Sequence, residues 1–214
     1  MTAPATRPRS PNELLVDFIV TVDGYASGEG WPGWWGLEGP EYLHWLEEHP
    51  ITDDTLLMGA NTYRLMSGFA AAFADTDAES DEKASVDSLT QARKVVFSST
   101  LPEPTWPNTR LVRGDAVEVV REMKQNGAGP MRTIGSLTLC RSLLAAGLVD
   151  RLRLVLFPVI TGKTGSERIY DGYPDVALEL VDSRVFDGRI QLLEYVPTVL
   201  AGPPSYEPPG TAPS

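Results

Sequence analysis

Cysteine is nearly absent from this sequence. Cys140 is the sole one in 214 residues, which excludes an intramolecular disulfide and a thiolate metal cluster. Its setting within LTLCRSLL marks it as a small core residue. Histidine is almost as scarce: His44 and His49 have no partners at ligand spacing, so surface or helix-end roles are expected and no metal site. Positive charge is short as well, with 18 Lys and Arg against 29 Asp and Glu and a net charge of −11. A polyanion is a poor partner for nucleic acid or an anionic membrane, although a local basic pocket for a phosphorylated cofactor is compatible with it. No apolar run approaches the roughly 20 residues that span a bilayer. MTAPATRPRSPNE has no apolar core of the signal-peptide kind. A cytoplasmic protein is expected, with no nucleic-acid or membrane partner.

What is present suits one core. At 42% hydrophobic content, a chain of this length buries a single substantial interior. Residues 1–13 read as a flexible leader, 14–197 as one domain, and 198–214 as a Pro-rich disordered tail. No internal repeat is apparent.

Strand and helix signals alternate. Leu14 to Val22 (LLVDFIVTV) reads as a strand in the interior of a parallel sheet, interrupted by Asp17 at an edge or facing a polar site. The following loop sets Gly28, Gly30, Gly33 and Gly36 among Trp31, Trp34 and Trp35. Hinge glycines and flat indoles suit a lid over a planar ligand, and equally an aromatic plug over core or a subunit interface. A short helix over 41–48 carries Tyr42, Trp45 and Leu46 on one side. Thr55 to Met58 is a strand turned into a helix by Gly59, Ala60, Asn61 and Thr62. The acidic stretch Asp75 to Asp87 reads as a solvated loop or helix face. Lys94 to Phe97 runs into Ser98, Ser99 and Thr100, and Leu111 to Arg113 is a further short strand. Asp115 with Glu118 three residues on has the spacing of a capping box.

The stretch from Thr133 to Gly165 is the most informative. Met131 to Ile134 ends at Gly135-Ser136, a helix with Leu139, Leu143 and Leu144 follows, and Gly147 caps it. Leu152 to Pro158 is a strand that leads into Thr161-Gly162-Lys163-Thr164-Gly165. A turn free of bulky side chains between a strand and a helix N-terminus exposes N–H groups to an anion, and the same motif also serves as a tight strand–helix connection. Val176 to Val185 and Arg189 to Val196, joined through Asp187-Gly188, read as a hairpin. The whole predicts an α/β fold, mostly parallel with an antiparallel edge. Its candidate ligand groups (Asp23, Gly59 to Thr62, Ser98 to Thr100, Gly135-Ser136) gather at strand C-termini, where open α/β sheets bind ligands.

This order of motifs resembles the dihydrofolate reductase-like superfamily, and within it the reductase domain of bacterial riboflavin-biosynthesis deaminase/reductases. VTVDGYAS, LLMGANTY, VVFSSTL and TIGS…LLAAGLVDRLRLVLFPVITGKTG carry the resemblance. It implies a mixed sheet of about eight strands flanked by helices, NADPH as hydride donor with NADH as the alternative, and a homodimer. It places the Val20 backbone near the nicotinamide and Gly59, Ala60, Asn61 and Thr62 at the pyrophosphate. Ser98, Ser99 and Thr100 would line the adenosine pocket, Arg113 would meet a 2′-phosphate, and Ile134, Gly135, Ser136 and Leu137 would pass over the pyrophosphate. Trp31, Trp34, Trp35 and Thr62 would face the substrate, and Asp23 or Tyr42 would supply a proton. The chain departs from the pattern at four positions. Ala60 stands where an arginine is usual, Ser136 where a second glycine is usual, Tyr42 where folate reductases place a carboxylate, and Asp17 where the riboflavin-type enzymes place a base. The implied activity is reduction of a small heterocycle resembling the phosphoribosylaminouracil substrate. A broad-specificity reductase and a non-catalytic binding relative are the alternatives.

Overall fold

The computed structural model describes residues 10–30, 35–74 and 81–203. In chain order it sets out β1 (Leu14–Thr21), β2 (Tyr25–Gly28), α1 (Pro40–Glu48), β3 (Thr55–Gly59), α2 (Ala60–Ala74), α3 (Asp81–Gln91), β4 (Arg93–Phe97) and β5 (Thr109–Val112). Then follow α4 (Ala116–Gln125), β6 (Met131–Thr133), α5 (Leu137–Ala145), β7 (Arg151–Phe157), β8 (Gly165–Arg168), β9 (Val176–Phe186) and β10 (Ile190–Val199). Eight strands form one sheet in the order β5-β4-β3-β6-β1-β7-β10-β9. From β5 to β7 every pairing is parallel, and β10 and β9 add an antiparallel edge. The mixed, mostly parallel sheet flanked by helices is the expected architecture.

Period-2 alternation along β1 explains its central place. Leu14, Val16, Phe18 and Val20 face the core shared with α4 and α5, where Val120, Leu139, Cys140, Leu143 and Leu144 pack. Ile19 faces the opposite side, against the α1 cluster of Tyr42, Trp45, Phe157, Phe186 and Ile190. A third cluster seats α2 and α3 on β3 and β4 through Leu56, Met58, Tyr63, Val96 and Trp106. A strand buried on both faces has to be apolar on both, hence the near-continuous apolar run.

Local signals act as their chemistry requires. Asp187 (φ 52°) and Gly188 (φ 65°) both lie in the left-handed region, the geometry of a two-residue turn whose twist matches its strands. Asp115 Oδ1 accepts from the N–H groups of Val117 (2.8 Å) and Glu118 (3.2 Å). The reciprocal half of the capping box is not made, because the Glu118 carboxylate pairs with Arg121 instead.

The Thr161–Gly165 loop leads into β8. Two expectations need correction. Tyr25–Gly28, expected to be loop, is β2 and pairs antiparallel with β8. The pairing depends on Gly165, where a Cβ would lie 2.6 Å from the Tyr25 ring. At the N-terminus the folded structure starts before Leu14: Glu13 is buried, its carbonyl accepts from Met131 N–H (2.9 Å) and its carboxylate meets Arg151.

Candidate active site at the strand C-termini

Two connections leave the middle of the sheet in opposite directions. The chain passes from β3 through α2 and α3 to β4 on one side, and from β6 through α5 across β1 to β7 on the other. The divergence opens a crevice beyond the C-terminal ends of β3 and β6, the topological switch point of a doubly wound sheet. Gly59, Ala60, Asn61 and Thr62 stand on one side of it, and Ile134, Gly135, Ser136 and Leu137 on the other. Ser136 Oγ accepts from Gly59 N–H (2.7 Å) and lies 2.8 Å from Thr62 Oγ1. Gly135 (φ 52°) and Ser136 (φ 59°) are both left-handed, and a Cβ on Gly135 would come within 3.1 Å of Thr62 Oγ1. Two residues expected at one ligand therefore touch, although 74 positions separate them in sequence. The Ser136 side chain does not cap α5, and among the described residues no other side chain bonds to the first N–H groups of that helix.

Beyond β4, Ser98 Oγ accepts from the N–H groups of Thr100 (3.2 Å) and Leu101 (3.0 Å), folding the three hydroxyl residues into a tight turn. Ser99 and Thr100 are exposed beside it. Arg113 braces the same turn, donating from Nη1 to Ser99 O (3.1 Å) and from Nη2 to Leu101 O (3.0 Å). Its partners are carbonyls, so among the described residues no carboxylate neutralises its charge. The hydroxyl turn and the guanidinium are thus brought together.

At the end of β1, Val20 is fully buried, backbone included. Asp23 is occupied: one oxygen accepts from Thr21 Oγ1 (2.6 Å) and Thr161 N–H (3.3 Å), the other from Gly162 N–H (2.8 Å). The Thr21 hydroxyl and then these backbone donors hold its carboxyl below the usual carboxylate range. Asp23 therefore clasps the loop after β7 against β1. Val22 and Ile160, neither singled out from sequence, leave apolar side chains exposed here at 59% and 76%. Such exposure beside a polar crevice is a structural signal that no sequence pattern carries.

Tyr42 lies elsewhere. It is 1% exposed, stacked on Trp45 and edge-on to Phe157, and burial pushes its phenol up, with the Asp17 charge adding to the effect. A phenol so enclosed is a poor proton donor to a ligand. Trp35 packs on Phe157 as part of the same cluster, while Trp31 and Trp34 lie outside the described residues. Asp17, flagged as anomalous, turns out to be paired: Arg153 grips it through Nε (3.0 Å) and Nη2 (2.6 Å), and Arg132 stands 3.8 Å away. Glu38, which sequence reasoning passed over, has a buried Oε2 without a hydrogen-bond partner among the described residues. The described residues contain no group of His, Cys, Asp and Glu that could hold a metal, and no helix long and apolar enough to cross a membrane.

The fold is that of a dihydrofolate reductase-like domain. Its sheet superposes on a dihydrofolate reductase from Enterococcus faecalis, solved in complex with NADP(H), with a TM-score of 0.53 at 16% identity over 87% of this chain and 97% of that one. A protein from Shewanella sp. PV-4, provisionally named for riboflavin biosynthesis, matches with a TM-score of 0.65 at 18% identity, covering 87% and 99% of the two chains. The chain belongs to the RibD C-terminal domain family, whose profile matches residues 12–192. Among curated proteins it is similar to the uncharacterized protein YyaP of Bacillus subtilis, 26% identical over 184 residues, 85% of this chain and 93% of that one.

Proposed function

We propose that this protein is an NADPH-dependent reductase of a small heterocyclic molecule of the aminouracil kind, with its cofactor lying across the crevice between β3 and β6. The observation that carries this is the Gly59–Ser136–Thr62 contact: two hydroxyls and the Gly59 N–H meet at the switch point beside the left-handed Gly135, with the start of α5 alongside. Backbone and hydroxyl donors of this sort fit a pyrophosphate without needing a cation. Arg113, without a carboxylate partner among the described residues, fits the 2′-phosphate and supports NADPH over NADH. Ser98, Ser99 and Thr100 would flank the adenosine. When bound, the cofactor supplies the hydride, and the chain's part is orientation and exclusion of water. The exposed Val22 and Ile160 would offer the nicotinamide an apolar rim above the buried Val20. With Asp23 held ionised and Tyr42 enclosed, the acceptor's proton comes from water. Asp17 occupies the position of a base in the phosphate-binding relatives and neutralises its arginines, which supports an acceptor other than the phosphoribosyl compound itself.

The test is a titration of the purified protein with NADPH and NADH, followed by Trp fluorescence. Saturable NADPH binding, tighter than NADH, is the expected outcome. Failure of both dinucleotides to bind at millimolar concentration would sink the reading and leave a non-catalytic relative of the fold. We also assign a homodimer, because the 11-residue edge strand β9 exposes Leu178 and Leu180. A monomer mass by light scattering at working concentration would remove that assignment.

A further inference from the structure

The protons at the crevice can be counted. Gly59 N–H can only donate, so at 2.7 Å the Ser136 oxygen accepts from it. Ser136 Oγ and Thr62 Oγ1, 2.8 Å apart, bring two hydroxyl protons, and only one of them can lie on the line between the oxygens. The other is left over. If Thr62 donated, Ser136 would take two donors and its own proton would have to leave the line. If Ser136 donates, the chain runs one way, Gly59 N–H to Ser136 O–H to Thr62 O–H, and each link polarises the next. The spare proton then sits on Thr62. Space at that hydroxyl is kept by Gly135, where any Cβ would crowd Thr62 Oγ1 at 3.1 Å. The first turn of α2 (Ala60, Asn61, Thr62) carries no cation, and Arg64 on the next turn is bonded to Asn61 Oδ1 (3.1 Å).

We infer that Ser136 is a positioning residue: it fixes the Thr62 hydroxyl as an outward donor to a phosphate oxygen of the dinucleotide, a neutral relay where no charge is at hand. The inference rests on the dinucleotide reading above. Ser136 holds a left-handed backbone (φ 59°) that disfavours a side chain, which glycine would relieve. A residue kept there only for the turn would therefore be improved by glycine. A relay would be broken by it.

A double-mutant cycle tests this, with NADPH titrated into wild type, Ser136→Ala, Thr62→Val and the double variant. Each single change is expected to raise the dissociation constant roughly tenfold, the scale of one good hydrogen bond to an anion. The double variant should bind no more weakly than Thr62→Val, because Ser136 acts through Thr62. Thr62→Ser, which keeps the hydroxyl, should stay near wild type. Ser136→Gly supplies a second probe should the alanine variant melt early, and it too should lose affinity despite its easier backbone. Independent, multiplying effects, or tighter binding by either Ser136 variant, would overturn the relay while leaving the cofactor site standing. A wild type that binds neither NADPH nor NADH would instead remove the site itself, and the relay with it.

Discussion

The two ends of the sheet use polar residues in opposite ways. Toward the strand N-termini, charge is spent on other parts of the chain. Asp17 is gripped by Arg153, Arg132 Nε meets Asp54 at 2.8 Å, and Arg151 lies between Glu194 (3.0 Å) and Glu13 (3.5 Å). Lys94, 1% exposed, donates to the carbonyls of Leu89, Thr90 and Ala92 and rests over the Trp106 ring. Toward the C-termini, capacity is left over among the described residues: one hydroxyl proton at Ser136–Thr62, a guanidinium at Arg113 with only carbonyl partners, and first N–H groups of α5 without a side-chain partner. A satisfied group contributes to stability or specificity, and a group with spare capacity can be offered to a ligand. The difference separates the base of the fold from its candidate active site without reference to any relative.

Breaking the satisfied end should produce the largest effects. Arg153→Ala removes the two-point grip on the Asp17 carboxylate and leaves it the more distant Arg132, and should destabilise the fold by about 3 kcal/mol in denaturant unfolding. Asp17→Leu combined with Arg153→Met should recover most of that loss, since an apolar pair of similar size does not leave a buried charge. Lys94→Ala removes the donor that closes the end of α3 and vacates the space over Trp106. A loss of about 2–4 kcal/mol is expected, read in the same way.

At the other end the effects should fall on ligand binding and spare stability. Arg113→Ala should weaken NADPH about tenfold and leave NADH nearly unchanged, with a melting temperature within a few degrees of wild type. Equal losses for both cofactors would mean that Arg113 serves only the Ser98–Leu101 turn. The smallest effect concerns pH. Asp23 has a folded-state pKa below its ordinary value of 3.8, so the clasp it makes is fully present above that value and is lost as pH falls through the lowered one. Hydrogen exchange at Thr161 and Gly162 should therefore show the loop after β7 unchanged from pH 8 to about 5, loosening only in stronger acid.

How far the sequence disclosed this division depends on the range of each interaction. Features settled within a few residues were legible: the Asp187-Gly188 turn, the Asp115 cap, the helical spacing of Leu139, Leu143 and Leu144, and the ends of the eight main-sheet strands to within three residues. Features settled by distant partners were not. β2 and β8 are four residues each, rich in Gly and Ser, and carry no alternation; they are strands only because each completes the other. Asp17 looked anomalous in an apolar run because its arginine lies 136 positions away. Tyr42 shows two sequence arguments in conflict. Its spacing with Trp45 and Leu46 placed it on a buried helical face, whereas alignment with a catalytic position placed it at the substrate. Packing against Phe157 and Phe186 follows the spacing. The crevice residues were recoverable as a group because strand ends are visible in sequence, but the contact between Ser136 and Thr62 was not.

Helix α1 carries a consequence for the order of assembly. Its first N–H groups, at Glu41 and Tyr42, donate to the Asp187 carboxylate at 3.1 and 3.3 Å, and the Glu41 carboxylate accepts from Asp187 N–H in return. Gly39 allows the approach, since a Cβ there would fall 2.3 Å from that carboxylate. The helix is written in the first quarter of the chain, and its cap in the last. A chain emerging N-terminus first must hold α1, with its apolar Tyr42 and Trp45, unfastened until the β9–β10 turn has been made. The α1 cluster is then the last part of the interior to close, and residues 186–188 act as its fastener in time as well as in space.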